Sequence, residues 1–135
     1  MMMSLLYKLV QIPRFSDDRG SLSFVEFDQI LDFSIKRVYW LYDFKKDRGG
    51  HAHKDLQQFI FCTHGSVDFI LDDGQNRESV TLDSPDKGLY IIKPLWREVT
   101  NFQNNPQVIV LASDIYKESD YIKSYEEFKT WKFNS

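Results

Sequence analysis

The chain has 135 residues, 42% hydrophobic and 16% aromatic, with a formal net charge of −3. That length suits one domain with a sizeable core, and that composition excludes a disordered chain. With no basic excess and no long basic run, a nucleic-acid binder held by phosphate contacts is excluded too, although one or two local arginines suffice for a small anionic ligand.

Cys62 is the only cysteine. The chain therefore has no intrachain disulfide and no thiolate cluster for zinc, and a reduced, cytoplasmic setting is expected. The opening stretch MMMSLLYKLVQIP is too short and too poor in flanking charge for a signal peptide, and it holds no spanning segment. Nothing reads as a repeat, linker or low-complexity tract, so residues 1–135 are expected to form a single unit.

An edge strand is expected from Val10 onwards. Asp17-Asp18-Arg19-Gly20 reads as a turn, followed by a strand over residues 21–27. Residues 35–42 (IKRVYWLY) are rich in β-branched and aromatic side chains and read as a central strand. Period two puts Arg37 and Tyr39 on one face and Val38 and Trp40 on the other. The charged loop 43–50 ends in Arg48-Gly49-Gly50, where the glycine pair allows unusual backbone angles or the close approach of a ligand.

Next come His51 and His53, two residues apart and so on one face of an extended segment. Gln58 opens an apolar run that ends in a turn expected at Gly65, with His64 on the surface. A second run, residues 67–71, leads into Asp72-Asp73-Gly74, a hairpin signal. Further strands are expected at residues 78–82, in LYIIKP and WREVTNF, and at 107–113. Several are apolar on both faces, which implies sheets covered on both sides by each other or by a partner subunit. One helix is predicted, over residues 120–130, with Tyr121, Ile122, Tyr125 and Phe128 as its apolar stripe and Ser119 or Asp120 as its cap. The fold class is all-β: a double-sheet barrel or jelly roll with one C-terminal helix.

Two histidines at i and i+2 are costly to bury unless hydrogen-bonded, so they point to metal ligation or to acid/base chemistry. The pattern around them resembles the cupin superfamily. His51-Ala52-His53, four residues, Gln58, six residues and Gly65 reproduce the spacing of its first motif. Gly88, five residues, Pro94, then Arg97, three residues and Asn101 echo the second, with a gap one residue shorter. Metal-binding cupins carry a glutamate and a third histidine where this chain has Gln58 and Arg97. A neutral amide is a poor ligand and a guanidinium is none, so the site is expected to be metal-free.

Within the cupins, the ordered set DDRGSL, FSIKRVYW, RGGHAHKDLQQ, GSVDFILDDG, TLDSPDKGLYI, PLWREV and LASDIYKESDYIKSYEEF closely resembles the WxcM-like nucleotide-sugar 3,4-ketoisomerases. The resemblance runs over nearly the whole chain. It implies a dTDP-4-keto-6-deoxyhexose as substrate, no cofactor, a homodimer, and a place in bacterial surface-polysaccharide (O-antigen) or related deoxysugar biosynthesis. The implied reaction moves the keto group from C4 to C3 through an enediol.

Carried over residue by residue, the resemblance gives His51 as the principal base, His53 as its partner in proton shuttling and Tyr39 as a hydrogen-bond or proton donor. Arg37, Arg48 and Arg97 are candidates for the diphosphate or the enediolate. Gln58 is a candidate to bind the sugar or orient a histidine, and Tyr90 and Trp96 to stack on thymine or to serve the core. Three other readings stay open: a 3,5-epimerase-like enzyme on the same substrate class, a non-catalytic cupin that binds a nucleotide or sugar, and a metal-dependent cupin oxygenase or isomerase, which Gln58 and Arg97 disfavour most.

Overall fold

The computed structural model describes Met2–Met3 and residues 6–135. Met1, Ser4 and Leu5, within the stretch weighed above as a leader, lie outside the described residues. No described helix is long and apolar enough to cross a membrane.

The fold is organised by two long antiparallel strands, β7 (Gln58–Asp72) and β10 (Trp96–Ala112), which pair along most of their length. Each serves two sheets. The first half of β7 pairs with β9 (Lys87–Ile91) and the second half of β10 with β5 (Arg37–Leu41). The second half of β7 pairs with β8 (Arg77–Leu82) and the first half of β10 with β6 (Arg48–His53). Beyond β9 lie β2 (Lys8–Gln11) and β1 (Met2–Met3), and beyond β6 lies β11 (Tyr121–Ile122). A separate ribbon, β3 (Arg14–Asp17) with β4 (Gly20–Ser23), exposes all eight residues. This is the expected all-β, double-sheet architecture.

Several boundaries differ from expectation. Gly65 is a bend inside a continuous strand, not a turn between two. Its φ is +67°, a Cβ there would run into the Gln103 carbonyl, and on β10 Asn101, Asn104 and Asn105 also adopt positive φ. The ladder shifts register across this region, so both strands bend from one sheet into the other instead of stopping. The same bend fuses WREVTNF and residues 107–112 into one strand. β5 pairs only with β10 among the described residues, so it is an edge strand and not central. Its β-branched and aromatic residues reflect half-burial on a pleated face, which an edge supplies as well. The expected edge strand at Val10 begins earlier, at Lys8, and is flanked by β1. The strand after the Asp17 turn ends at Ser23, four residues early.

The predicted helix begins five residues late. α1 spans Tyr125–Phe133 and is capped by Ser124, whose hydroxyl accepts from the Glu127 N–H at 3.3 Å, in place of Ser119 or Asp120. Tyr121 and Ile122 are instead drawn into pairing with His53 and Ala52 on β6, a tertiary contact that overrides the helical pattern.

Alternation along the strands builds three apolar layers. Ile60, Leu89, Val108 and Val110 from one sheet meet Phe69, Leu71, Val80 and Val99 from the other between the sheets. Phe59, Tyr90 and Leu111 face outward from the first sheet and are covered by Ile12, Leu31 and Phe33. Ala52 and Trp96 face outward from the second and are covered by Ile122 and Phe128. One stretch of the first sheet's outer face stays open: Val38 is 48% exposed and Trp40 60%.

Candidate active site

A cavity of about 290 Å³ opens between the two sheets. Its floor is apolar, from Leu41, Ile60, Phe69, Val99 and Val110, and its polar side chains are Arg37, Tyr39, Arg48, His51, Gln58, Arg97 and Tyr121. Register accounts for this convergence. Tyr39, Val110 and Ile60 form one cross-strand row, and Arg37, Ala112 and Gln58 the next. On the other sheet, His51, Arg97 and Leu71 form a row. In the β6–β10 ladder Arg97 pairs with His51 but Glu98 with Gly49, so Gly50 is bulged out. Gly49 has φ +86°, and a Cβ on it would lie 2.7 Å from the Arg97 carbonyl oxygen. Both glycines take the positive φ expected of them; Gly49 admits the neighbouring strand and also lines the cavity, and the bulge re-aims the residue that follows, His51.

Arg97 is 3% exposed and holds the site together. Its Nη1 donates to Gln58 Oε1, and its Nη2 donates to the Leu95 carbonyl at 3.1 Å. Gln58 Nε2 in turn donates to the Tyr39 hydroxyl oxygen at 2.7 Å. Because a guanidinium only donates, this chain has one direction, and it leaves the Tyr39 O–H free to donate into the cavity. Burial lowers the Arg97 pKa to about 10, so the group stays charged at neutral pH. Burial, then the Arg97 charge, push His51 down to about 4, and the same causes lower His53. Desolvation raises Tyr39. The site therefore offers a neutral imidazole, a protonated phenol and a fixed cation.

His53 sits behind His51, with ring centroids 4.9 Å apart. It is 1% exposed, and its Nδ1 is 2.9 Å from Asp120 Oδ2. It lines a second cavity of about 300 Å³, with Asp120, Lys54, Asp55 and Ser119. Arg37 and Tyr121 border both cavities.

The expected site residues thus divide. Arg37, Tyr39, Arg48, His51, Gln58 and Arg97 converge on the first cavity. His53 shares a face with His51, yet opens on the second. Gln58 orients a tyrosine and not a histidine. Tyr90 and Trp96 are not stacking residues of this cavity. Tyr90 is 2% exposed in the outer layer, and its hydroxyl accepts the Asp32 N–H. Trp96 packs against Tyr125 and Phe128 beneath the helix and donates its Nε1–H to Glu98. The helical pattern of residues 120–130 hides Asp120 and Tyr121 from the site, where they in fact meet His53. The donor set does not suit a transition metal, since Gln58 and Arg97 bind each other where a cupin would present ligands. Among the described residues, no three His, Cys, Asp or Glu side chains form a metal-binding group.

Comparison with known proteins agrees with this geometry. Residues 6–132 match the family FdtA: WxcM-like, C-terminal. A TDP-4-oxo-6-deoxy-alpha-D-glucose-3,4-oxoisomerase from Aneurinibacillus thermoaerophilus is 44% identical over 126 residues, 92% of this chain and 91% of that protein. A 3,4-ketoisomerase from Helicobacter canadensis superposes with a TM-score of 0.91 at 42% identity, covering 94% of this chain and 97% of that one. The sugar 3,4-ketoisomerase QdtA from Thermoanaerobacterium thermosaccharolyticum, solved in complex with TDP, gives 0.93 at 33% identity over 98% of both chains.

Proposed function

The chain belongs to the FdtA, WxcM-like C-terminal family, and on that premise we propose that it is a TDP-sugar 3,4-ketoisomerase. Its substrate is a TDP-4-keto-6-deoxyhexose and its product the 3-keto isomer. The observation that carries this reading is the directed chain from Arg97 through Gln58 to Tyr39 beside the neutral ring of His51.

The chemistry needs no external oxidant or reductant. His51 removes the C3 proton, and the electron pair forms a C3–C4 double bond while the C4 oxygen takes up charge. Tyr39 donates to that oxygen, and the Arg97 charge lowers the energy of the enediolate. The C3 hydroxyl then passes its proton to the C4 oxygen by way of Tyr39, and His51 in its protonated form delivers a proton to C4 as the C3 carbonyl forms. His53 supports the proton traffic from behind His51. Arg48 at the cavity mouth and half-buried Arg37 are suited to the diphosphate, as bidentate donors.

The finer reading is a cofactor-free homodimer of this single 1–135 unit, acting in the cytoplasm in O-antigen or related polysaccharide biosynthesis. The open apolar patch around Val38 and Trp40 supports the dimer, and the one buried, reduced Cys62 fits a reducing setting.

The test is proton NMR of TDP-4-keto-6-deoxyglucose incubated with the enzyme in deuterated buffer, beside a His51→Asn variant. A 3-keto product formed only by the unaltered enzyme is expected, and its C4 configuration distinguishes galacto from gluco. Deuterium at C5 without a 3-keto product would instead identify an epimerase. Neither product nor exchange would point to a binding protein or to a different sugar nucleotide as substrate.

A further inference from the structure

The proton traffic behind His51 has a specific geometry. Asp120 comes from the 3-10 turn Glu118–Asp120 that leads into β11, and it is clamped on both oxygens. Oδ1 accepts the backbone N–H of Asp55 at 2.8 Å, and Oδ2 faces His53 Nδ1 at 2.9 Å. An ionised carboxylate can only accept, so Nδ1 carries the proton of the neutral ring and Nε2 is bare. That Nε2 is buried and has no hydrogen-bond partner among the described residues. Leaving such an atom unpaired costs about 1–3 kcal/mol, and a packed interior does not tolerate this without a reason.

The surroundings supply the reason. The His53 ring stands edge-on to that of His51, and Tyr121 packs against both rings, with centroids 4.4 Å from His53 and 5.2 Å from His51. His53 lines the second cavity while His51 lines the first, so the histidine pair forms part of the partition between them. Charge differs across it: Arg97 bears on both rings from the first side, Asp120 on His53 from the second.

Building on the ketoisomerase reading, we propose that Asp120 is a positioning residue of the reaction: it pins His53 as the Nδ1–H tautomer, so that bare Nε2 stands behind His51 as the acceptor through which the site exchanges its proton with the second cavity. His51 takes the C3 proton and becomes imidazolium. Nε2 of His53 accepts a proton from it, directly or through one water, and the Asp120 carboxylate balances the charge that forms. A proton returns by the same route for delivery to C4, so the site is neutral again at the end of the cycle. Carboxylate–histidine pairs that fix a tautomer are worth several powers of ten in rate elsewhere.

Asp120→Asn tests this, because the amide keeps a carbonyl for Asp55 but can turn an N–H towards Nδ1, which selects the Nε2–H tautomer. Nitrogen-15 NMR of the histidine side chains is expected to show Nδ1–H at His53 in the unaltered protein and Nε2–H in the variant. The kcat is expected to fall by about 10²-fold or more with KM within about threefold, and Asp120→Glu, which restores a carboxylate, to recover part of the loss. In deuterated buffer the unaltered enzyme should place solvent deuterium at C4.

An Nε2–H tautomer in the unaltered protein, or an Asn variant within about twofold of its kcat, would overturn the proposal. So would a Glu variant no faster than Asn, or a 3-keto product carrying only the original C3 proton at C4. The last result would leave the ketoisomerase reading standing. The tautomer measurement needs no turnover, so it decides on Asp120 even where the substrate assignment fails, and the unaltered protein supplies it where a variant does not fold.

Discussion

The side-chain amide of Gln58 donates to the hydroxyl oxygen of Tyr39 at 2.7 Å because its carbonyl is already taken by Arg97. The direction matters more than the bond. With Gln58 as donor, the Tyr39 proton is free for the substrate oxygen. In Gln58→Glu the carboxylate accepts from both neighbours, so Tyr39 must turn its proton away from the cavity, while the pairing with Arg97 holds the fold. The expected result is a fall in kcat of about 10- to 10²-fold with KM little changed, matched by Tyr39→Phe. Steady-state kinetics of both variants check it, and full activity in either removes Tyr39 as the donor.

Acid should unfold the protein over a window set by its histidines. His51 is held at about 4 against an ordinary 6.5, by burial and then by Arg97, and His53 is lowered for the same causes. Between pH 4 and 6.5 the unfolded chain therefore binds more protons than the native one. Stability present above pH 6.5 falls as the pH drops, and this contribution is gone below about pH 4. For His51 alone the shift corresponds to at most roughly 3 kcal/mol. The depressed carboxylates Asp17, Asp73, Asp86 and Asp114 titrate below their ordinary 3.8, under this window. Urea midpoints at pH 7.5, 6 and 5 should decline steadily, and less steeply for His51→Asn. A flat series would mean that the rings are charged or solvated in the native state.

Much of this was legible in the sequence where the signal is local. Period two along residues 37–40 put Arg37 and Tyr39 on the cavity face and Val38 and Trp40 on the other, as found. The i, i+2 spacing likewise put His51 and His53 on one face. What the sequence hid depends on pairing at long range. His53 and Asp120 are 67 residues apart, and no periodicity announces their contact. Tyr121 fits a helical stripe as well as a strand, and only its pairing with His53 decides. Gly65 reads as a turn because a glycine at φ +67° serves a bend and a turn equally. Tyr90 and Trp96 were ambiguous for a different reason, since aromatic composition does not say which side of a sheet a ring takes.

The apolar patch on β5 should be a subunit contact. Val38, Trp40 and Tyr42 are 48%, 60% and 59% exposed, and Trp40 lies beside Ile109 in the ladder. An exposed apolar patch of this kind on an edge strand needs a partner. The unaltered protein is expected to sediment at about twice its 16.1 kDa chain mass. Trp40→Asp, which touches nothing in the cavity, should sediment as the monomer with an unchanged circular dichroism spectrum. A variant that keeps the dimer mass moves the interface elsewhere.

Gly88 opens the second cupin-like motif, yet the structure gives it a packing role. It is buried on β9, opposite Val10, and a Cβ there would run into the Phe59 ring. Phe59 cannot step aside freely, because it lies edge-to-face with Tyr90, centroids 5.8 Å apart, in the layer under Ile12, Leu31 and Phe33. Gly88→Ala should therefore cost about 1–3 kcal/mol, the usual range for overpacking a close-packed core. Phe59 faces away from the cavity that holds His51, so kcat at a temperature where the variant is folded should stay unchanged. Adding Phe59→Leu, which makes room for the new methyl group, should recover part of the stability lost. Urea denaturation of the two variants beside Phe59→Leu alone closes the cycle. Purely additive losses would show that alanine at position 88 is accommodated without displacing the ring.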